Sequence, residues 1–461
     1  MKLRRRWAAL ALAAMTTMPA LLALLSVPAA SAAPREPGAR AAFAGGPLAA
    51  IQGSGSSWAA NAVNEWISNE SSSGVQVIFT PSGSATGRQQ FSVGAMDFAV
   101  SDIPYQGYDP VTGTNDSSKR PYAYLPITAG GTAFPYNLVV GGKRVINLRL
   151  SGLTLAKIFT GQITNWDDPA ITADNNHRAL PSLPITTVVP SEGSGTTAMF
   201  TRYLAKMYGS IWGPFNSSNG GNIMTEYWPH HSNLLSQKLQ SGSTQIMNYI
   251  ESPAANGSIG VAEYSYALSA QFPVVNLENT AGYYVLPSMY NDAVALTKAV
   301  INMNKSSNLY LTQNLDAVYT NPDPRTYPLS SYSYTVMPIS PTDQSMAPQG
   351  GAFPSKWQTL ADFLSYSICQ GQTYIGPIGY SALPVNLVEA GFQQINKIKA
   401  AAPKVSLAQQ NINNCHNPTF VYGHPSENYL AVHAPMPPQC DKAGQGPCTG
   451  TTNGNKNNGG G

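Results

Sequence analysis

Three glycine- and serine-rich stretches combine the residue types that can bind an anion. One is Pro190-Ser-Glu-Gly-Ser-Gly-Thr-Thr-Ala-Met-Phe200, directly after the apolar run at residues 185–189. The other two are Ile51-Gln-Gly-Ser-Gly-Ser-Ser-Trp58 and Thr80-Pro-Ser-Gly-Ser-Ala-Thr-Gly87. Hydroxyl groups donate hydrogen bonds, and glycine lets backbone amides come close to a ligand. The pattern therefore indicates an oxyanion site made of amides and hydroxyls.

Each of these stretches is predicted to connect a buried strand to a helix. The first amides of a helix have no partner inside it, and together with the helix dipole they attract an anion. We therefore expect three helix N-termini to converge on one oxyanion. The alternative is that the stretches are ordinary helix caps and tight turns.

The composition suits an exported protein of more than one domain. A chain of 461 residues can form two or three domains, and only 11% of its residues are charged. Removing residues 1–33 takes away four positive charges and no negative one, so the formal net charge falls from +3 to about −1. This balance argues against nucleic acid as a partner.

The N-terminus has the pattern of a secretory signal peptide over residues 1–33. Met1-Lys-Leu-Arg-Arg-Arg6 is followed by an apolar run and then by the small residues Ala30-Ser-Ala-Ala33. No cysteine lies near this cleavage site, so no N-terminal lipid anchor is predicted. We expect a secreted or cell-surface protein, with sequence beyond Gly461 as the alternative means of anchoring.

The cysteines all lie late in the chain, at Cys369, Cys415, Cys440 and Cys448. In an exported protein they predict two disulfides, and three pairings are possible. We favour Cys369–Cys415 with Cys440–Cys448, which would tie the tail to the body and close a small loop. Their spacing does not fit a zinc site.

Strands and helices alternate along most of the chain, which predicts α/β architecture with largely parallel sheets. Helices are expected at residues 153–159, 295–317, 357–366 and 387–398, and a strand at residues 329–337. Ligands of such sheets bind beyond the carboxyl ends of the strands, where the three stretches lie. From residue 401 the composition changes to that of a flexible linker.

The chain resembles the phosphate-binding proteins, of the PstS type, of bacterial phosphate ABC transporters. The resemblance runs from about Ile51 to Ile398 and rests on six motifs in the family's order: Gly53-Ser-Gly-Ser-Ser-Trp58, Pro81-Ser-Gly-Ser-Ala-Thr-Gly87, Asp97-Phe-Ala-Val-Ser-Asp102, Leu155-Ala-Lys-Ile-Phe-Thr-Gly-Gln-Ile-Thr-Asn-Trp-Asp-Asp168, Glu192-Gly-Ser-Gly-Thr196 and Gly257-Ser-Ile-Gly-Val-Ala-Glu-Tyr264. It implies a type II periplasmic-binding-protein fold of two α/β lobes that close on inorganic phosphate. It also implies a membrane permease as the partner.

The resemblance suggests how the chain is divided. We expect residues 47–129 and 327–400 to form lobe 1, residues 130–326 to form lobe 2, and residues 401–461 to form a cysteine-containing flexible tail. The hinge crossovers are placed near residues 129–132 and 327–331.

The resemblance also implies a set of phosphate ligands. Asp102 matches the family's acidic ligand, and a carboxylate can accept the hydrogen of HPO₄²⁻ or H₂PO₄⁻ but finds no such hydrogen on sulfate. The alternative is a purely structural role, in which Asp102 caps the following turn. The expected donors are Ser57, the amide of Trp58, Ser84, Ser194, Gly195 and Thr196.

One departure from the family concerns charge. The family carries an arginine shortly before Gly-Ser-Gly-Thr, where this chain has Pro190. Glu192, the nearest charged residue, has the wrong sign to bind an anion. Arg88 is the candidate substitute, unless it is simply exposed to solvent.

Two other functions are the alternatives to phosphate capture. A phosphate-ester hydrolase could use a similar oxyanion site, but Ser194 lacks a Gly-x-Ser-x-Gly context, and the six histidines form no recognisable triad. We therefore predict no enzyme activity, no cofactor and no metal site. A surface-displayed interaction or adhesion protein on the same scaffold is the other alternative.

Overall fold

The structure is a computed structural model that describes residues 48–232, 234, 236–347, 355–408 and 410–448. The predicted signal peptide and the residues after Cys448 lie outside the described residues. The helices in the described ranges are α1 (Ala60–Ser71), α2 (Ser84–Ser92), α3 (Gly152–Phe159), α4 (Pro169–Asp174), α5 (Gly195–Met207), α6 (Gly209–Phe215), α7 (Gly242–Glu251), α8 (Tyr264–Ser269), α9 (Met289–Leu296), α10 (Ser355–Ile368), α11 (Gln372–Ile375), α12 (Val385–Ala401) and α13 (Tyr429–Val432).

The strands of the described ranges are mostly short and buried. They are β1 (Ile51–Gly55), β2 (Val77–Thr80), β3 (Phe98–Ser101), β4 (Gly107–Asp109), β5 (Thr114–Asp116), β6 (Tyr122–Ala133), β7 (Tyr136–Asn137), β8 (Val139–Val140), β9 (Lys143–Arg144), β10 (Arg149–Leu150), β11 (Thr186–Pro190), β12 (Gln237–Gln240), β13 (Ser258–Gly260), β14 (Ala262–Glu263), β15 (Asn276–Glu278), β16 (Tyr284–Val285), β17 (Val300–Ile301), β18 (Gln313–Asn314) and β19 (Ser330–Pro338).

The two largest sheets of the described residues, with six and four strands, are both mixed, and each contains parallel strand pairs. The first sheet has the order β14-β6-β19-β3-β1-β2, with β1 parallel to both β2 and β3. The second has the order β12-β11-β13-β7, with β11 parallel to both β12 and β13. The predicted α/β architecture is confirmed, and both sheets are mixed, since β6 and β19 of the first sheet pair antiparallel with their neighbours. The carboxyl ends of β1, β2 and β11 lead into the three glycine- and serine-rich stretches, and the carboxyl end of β3 leads into Asp102.

Apolar side chains account for the positions of these elements. Trp66 of α1 and Phe363 of α10 are buried against the first sheet, where Phe98 lies between Phe79 and Phe363. Phe200 of α5 packs among the rings of Phe134, Phe159 and Trp228. Burying one such ring stabilises the fold by about 1.5–3 kcal/mol, so these aromatic clusters fix the helices whose N-termini face the sheet edges.

The long strands β6 and β19 lie side by side over almost their whole length. The stretches that we expected to be crossovers are paired with each other, since Ser330 lies opposite Gly131 and Tyr332 opposite Ala129. Short strand β14 then joins the far end of β6 at Thr132. The lobe boundaries at residues 129–130 and 326–327 stay a prediction.

The structure confirms the predicted helices at α3, α10 and α12 and the predicted strand β19. The predicted helix at 295–317 is wrong: α9 ends at Leu296, and a two-stranded hairpin of β17 and β18 follows. The polar side chains of Asn302, Asn304 and Ser307 bond to backbone amides two residues ahead, at Asn304, Ser306 and Leu309. Such local bonds favour turns over a helix.

Two disulfides join the cysteines in the pairing that we favoured, Cys369–Cys415 and Cys440–Cys448. The first connects the end of α10 to the tail, because Cys369 directly follows that helix. The second closes a loop with a sequence separation of 8. The described part of the chain contains no helix with the length and apolar character needed to cross a membrane.

The expectation of a flexible tail is wrong for residues 410–448. This segment is irregular but packed: Leu430 and Ala431 are buried against α9, and the Thr419 hydroxyl donates to the carbonyl of Leu383 at 2.8 Å. The guanidinium of Arg149 donates to the carbonyls of Cys440 and Gln445. Asparagine, proline and glycine prevent regular helices and strands, but they do not prevent a few buried side chains and disulfides from fixing the segment.

Candidate anion site

The candidate site lies at the carboxyl ends of strands β1, β2 and β3 of the first sheet. The N-termini of α1 and α2 lie there, and the N-terminus of α5 reaches the same place. Ser56 and Ser57 follow β1, Ser84 is the first residue of α2, and Asp102 directly follows β3. Each of these side chains is at most 5% exposed. Parallel neighbours β1, β2 and β3 end at one edge of the sheet, so the residues that follow them are brought close together.

Asp102 is the centre of a hydroxyl cluster. Its Oδ1 accepts hydrogen bonds from Ser333 at 2.7 Å and from Ser56 at 2.8 Å. Its Oδ2 accepts from Ser56 at 2.8 Å and from Ser84 at 3.3 Å. The amide of Asp102 itself donates to the Ser84 hydroxyl at 3.3 Å. These contacts fix a carboxylate in the interior at the opening of α2.

The start of α5 reaches the same carboxylate. A Cβ atom added to Gly195 would lie 2.1 Å from Asp102 Oδ2 and 2.5 Å from Ser84 Oγ, so any larger residue would collide with both. The first intrahelical bond of α5 runs from the amide of Ala198 to the carbonyl of Ser194. The amides of Gly195, Thr196 and Thr197 therefore precede the helical ladder, where they can serve an anion.

The charge of Asp102 is balanced between burial and its donors. Burial raises the pKa of Asp102 to about 6, against the hydroxyls of Ser333, Ser56 and Ser84 and the positive charge of Arg88, which hold the pKa lower. The carboxylate is consequently ionised at neutral pH and can accept a hydrogen bond from a protonated oxyanion.

Ser57 and Trp58 lie on the other side of the α1 opening. The Ser57 hydroxyl accepts a hydrogen bond from the amide of Ser243 at 3.3 Å, at the start of α7. Its carbonyl accepts from the hydroxyl of Tyr266 at 2.6 Å. The indole of Trp58 is buried and donates to Thr132 Oγ1 at 3.2 Å, on strand β6. In this structure the predicted ligand Ser57 thus faces α7, and Ser56 faces Asp102.

Ser194 and Thr196 are both buried at the start of α5. The amide of Ser194 donates to the carbonyl of Glu226 at 2.8 Å. The hydroxyl of Thr196, like that of Thr197, finds no hydrogen-bond partner among the described residues. A buried hydroxyl without a partner costs free energy unless a ligand or water completes it.

Arg88 is not exposed to solvent, and its three guanidinium nitrogens contact protein groups. Nε donates to Asp116 at 3.0 Å, Nη1 to the Ser101 hydroxyl at 2.9 Å, and Nη2 to Glu226 at 2.6 Å. The Arg88 side chain is fully buried. The structure therefore places the charge of Arg88 near Asp102 and shows its donors engaged by neighbouring side chains.

Pro190 and Glu192 mark the loop that lacks the family arginine. Pro190 is the last residue of β11, opposite Gln240 of β12. The amide of Gly242, the first residue of α7, donates a hydrogen bond to Oε1 of Glu192 at 3.1 Å. Burial raises the pKa of Glu192. Glu192 therefore caps a helix N-terminus instead of pairing with a cation.

Sequence reasoning missed several members of the site. The predicted set of donors includes Ser57 and omits Ser56, because the sequence does not show which of two adjacent serines points toward Asp102. Ser333 lies 231 positions after Asp102 in a strand that alternates serine and tyrosine, which gives no signal. The start of α7 could have been found, since Gln240-Ser-Gly-Ser-Thr244 is a fourth glycine- and serine-rich opening after a strand.

A separate cavity of about 780 Å³ lies along the other face of α1, lined by Asn61, Glu65, Arg144, Ser265 and Gln271 among others. Its lining does not include the Asp102 cluster. Within the described ranges, no group of three or more histidine, cysteine or acidic side chains could hold a metal ion.

Comparisons with known proteins identify the family to which this chain belongs. A family model described as a PBP superfamily domain matches residues 31–369. The phosphate-binding protein PstS of Xylella fastidiosa is 28% identical over 342 residues, which cover 74% of this chain and 83% of that protein. PstS 3 of Mycobacterium tuberculosis is 29% identical over 340 residues, covering 72% and 82%.

Solved structures share the fold. A high-affinity periplasmic phosphate-binding protein, PfluDING, was solved bound with phosphate and has a TM-score of 0.55 at 18% identity, covering 80% of this chain and 98% of that one. The fold, the matched residues and the related sequences agree. The chain belongs to the PBP superfamily and is a distant relative of the PstS phosphate-binding proteins.

Proposed function

We propose that this protein binds inorganic phosphate, or a closely related oxyanion, at the Asp102 cluster between its two lobes. The observation that carries the proposal is a buried, ionisable carboxylate at the start of two helices, α2 and α5, with hydroxyl groups around it. Helix N-termini attract negative charge, so an acceptor at this place selects anions that still carry a hydrogen.

The donors for such an anion come from both sides of the cluster. Gly195, Thr196 and Thr197 supply helix-start amides that precede the hydrogen-bond ladder of α5, and the Thr196 hydroxyl, which has no partner among the described residues, is a further donor. Ser84 makes only long contacts of 3.3 Å with Asp102, so its hydroxyl can turn to a ligand at little cost. The hydroxyl of Ser194 and the amide of Trp58 complete the proposed set, together with Ser57, whose hydroxyl would have to turn from the start of α7 to the anion.

The missing arginine is the main difference from the family pattern. In our proposal Arg88 acts through its field and by positioning, because its nitrogens are engaged by Asp116, Ser101 and Glu226. Phosphate charge would rest on amides, hydroxyls and helix dipoles. A site of this kind is expected to bind phosphate more weakly than one with a direct guanidinium contact.

The physiological role proposed for this binding is solute capture outside the cell for an ABC importer, with a membrane permease as the partner. The related PstS proteins, which are named for phosphate binding, support the ligand, and the importer is part of our proposal. Capture requires binding and lobe closure without a chemical step. A surface interaction role on the same scaffold would not require an anion.

The experiment is calorimetric titration of the mature protein, freed of ligand by unfolding and refolding, first with phosphate and then with sulfate at pH 8. We expect saturable phosphate binding and at least tenfold weaker sulfate binding. Absence of phosphate binding would overturn the proposal and leave the interaction role. Release of phosphate from a phosphate ester by the same sample would instead favour a hydrolase.

A matched pair of variants locates the site. Ser84→Ala should weaken phosphate binding roughly tenfold, because it removes a donor at the start of α2. Ser82→Ala is the control: it lies two residues earlier, and its buried hydroxyl has no partner among the described side and main chains. Equal phosphate affinity in the two variants would place the binding site elsewhere.

A further inference from the structure

The two oxygens of Asp102 are held unequally. Oδ1 accepts two short hydrogen bonds, from Ser333 at 2.7 Å and from Ser56 at 2.8 Å. Oδ2 shares the Ser56 hydroxyl and has only the longer contact with Ser84. Oδ2 is also the oxygen next to the start of α5, since it is the atom that a Cβ on Gly195 would strike first. Acceptor capacity therefore remains on the oxygen that faces the helix opening.

Ser333 reaches Asp102 because β19 pairs antiparallel with β3, and Tyr334 lies opposite Ser101, the residue before Asp102. Ser333 lies opposite Thr128, but the next residue, Tyr334, lies opposite Pro126, so the register shifts by one residue between them. Proline has no amide hydrogen for the ladder, which favours a bulge there. The extra residue, Ile127, is on β6, so the bulge bends β6 beside Ser333 while β19 stays in register with β3. The fully buried Ser333 hydroxyl points at the carboxylate.

We propose that Ser333 is a positioning residue that occupies Oδ1 and thereby presents Oδ2 of Asp102 to the hydrogen of the bound phosphate. The proposal rests on the proposed phosphate-binding function. Ser333 acts through Asp102 and does not touch the ligand. Because β19 is one of the two long strands at the predicted crossovers, Ser333 also links the orientation of the carboxylate to the strand that returns the chain to the first lobe.

The physical reason is the freedom of a carboxylate about its last torsion. The terminal torsion of aspartate has a broad, roughly two-fold profile, so hydrogen bonds decide which oxygen faces which way. Without Ser333, the Ser56 hydroxyl would be the remaining short donor to Oδ1, and it is shared with Oδ2. The carboxylate could then turn away from the start of α5, where the phosphate hydrogen is expected.

The test compares Ser333→Ala with Ser331→Ala. Ser331 lies on the same strand and is 1% exposed, and its hydroxyl has no hydrogen-bond partner within the described ranges. Titration with phosphate and sulfate at pH 8 should show a roughly tenfold loss of phosphate affinity and a reduced phosphate-to-sulfate ratio in Ser333→Ala, because a hydrogen bond to a charged group is lost. Ser331→Ala should stay within about twofold of the parent.

A second measurement separates positioning from a general loss of structure. Carbon NMR of the Asp102 carboxyl in the ligand-free protein should give a higher pKa in Ser333→Ala than in the parent and an unchanged pKa in Ser331→Ala, since Ser333 donates to the ionised form. Arg88, whose positive charge lowers the pKa of Asp102, is present in both variants. Ser333→Cys, a weaker donor of similar shape, should fall between Ser333→Ala and the parent.

The outcomes are distinct. If the parent protein does not bind phosphate, the proposed function fails, and with it this inference. If the parent binds phosphate but Ser333→Ala matches Ser331→Ala in phosphate affinity, in the phosphate-to-sulfate ratio and in the Asp102 pKa, then Ser333 has no positioning role although the function stands.

Discussion

Two aspartates in this protein are equally buried but differently surrounded, one at the candidate site and one at the predicted crossovers. Asp102 accepts from Ser56, Ser84 and Ser333 and feels the charge of Arg88. Asp292 accepts one hydroxyl, that of Ser330 at 2.7 Å, and its Oδ2 has no partner in the described part of the chain. Burial raises the pKa of both, to about 6 for Asp102 and about 8 for Asp292.

The difference shows what makes a buried carboxylate usable as a ligand. Burial alone leaves the acid protonated at neutral pH, as at Asp292, which lies against Gly131 and the start of β19. Additional donors and a nearby cation keep Asp102 ionised, so it can accept a hydrogen from an oxyanion. Donor number, more than depth, separates a structural acid from a binding acid in this fold.

Breaking the ionic support of Asp102 should have the largest effect. Arg88→Met leaves Asp116 and Glu226 without their cation, so we expect a loss of about 3–5 kcal/mol in the free energy of unfolding at pH 7. Arg325→Met is the control, because its partly exposed pair with Asp323 contributes at most about 1 kcal/mol. Urea unfolding measures both. Similar losses in the two variants would show that the buried network has no special role.

The pH dependence of stability should distinguish the two aspartates. The folded-state pKa of Asp292 is raised from 3.8 to about 8. The folded protein therefore holds a proton that the unfolded chain releases, and stability is lost as pH rises through this window, by up to about 1.4 kcal/mol per pH unit. Asp292→Asn mimics the neutral acid, so its advantage over the parent should grow until about pH 8.

Asp102→Asn is the counterpart in the same unfolding series. The folded-state pKa of Asp102 is raised only to about 6, so the pH-dependent part of its difference from the parent should level off near pH 6. Ligand-free protein should be unfolded in urea between pH 4 and pH 9. Two difference curves that level off at the same pH would contradict the contrast between the two sites.

Asp102→Asn should also alter anion selectivity. Loss of the ionised acceptor removes a charge-assisted hydrogen bond, which is typically about 1.5–3 kcal/mol, and the repulsion of sulfate. The ratio of phosphate to sulfate affinity at pH 8 should fall by at least roughly tenfold, and Asp292→Asn should leave that ratio unchanged. Calorimetry with both anions measures it. A parent ratio that persists at pH 5, where Asp102 is protonated, would argue against this role.

The smallest expected effect concerns the hydroxyls of Thr196 and Thr197, which have no hydrogen-bond partner in the described part of the chain. Protonation can satisfy the unpaired Oδ2 of Asp292, whereas the Thr196 hydroxyl can be satisfied by a ligand or by water, and we propose that phosphate fills this place. Thr196→Val should therefore weaken phosphate binding by about 1 kcal/mol, roughly fivefold, with little change in stability. Thr197→Val is the control, because it removes an equally buried hydroxyl that has no partner in the described ranges but keeps the backbone amide of the proposed set. Weaker binding in Thr197→Val alone would shift the site by one residue.

Local patterns predicted the parts of the fold that depend on local chemistry. Turn residues and apolar spacing predicted the strand–turn–helix units at β1, β2 and β11 and the amphipathic helices α10 and α12. Of three possible cysteine pairings, the favoured one is formed. The helix predicted at 295–317 was wrong because asparagine and serine side chains compete for backbone amides there. Apolar residues alone did not reveal that competition.

The site was predictable only as far as it is made of adjacent residues. Asp102, Ser84 and Gly195 belong to recognisable turns, and the structure brings them together. Ser333 and Glu226 come from distant segments with ordinary composition, so no local pattern identifies them. Whether Ser56 or Ser57 turns inward depends on the strand geometry at β1, which the sequence leaves open.

The buried guanidinium of Arg149 has a consequence for how the protein is made. Its acceptors, the carbonyl of Cys440 and the carboxylate of Asp441, are synthesised 291 and 292 residues later. A cation in the interior is costly until its partners arrive. The body of the protein therefore cannot reach its final stability until residues 440 and 441 have been made and have packed against it.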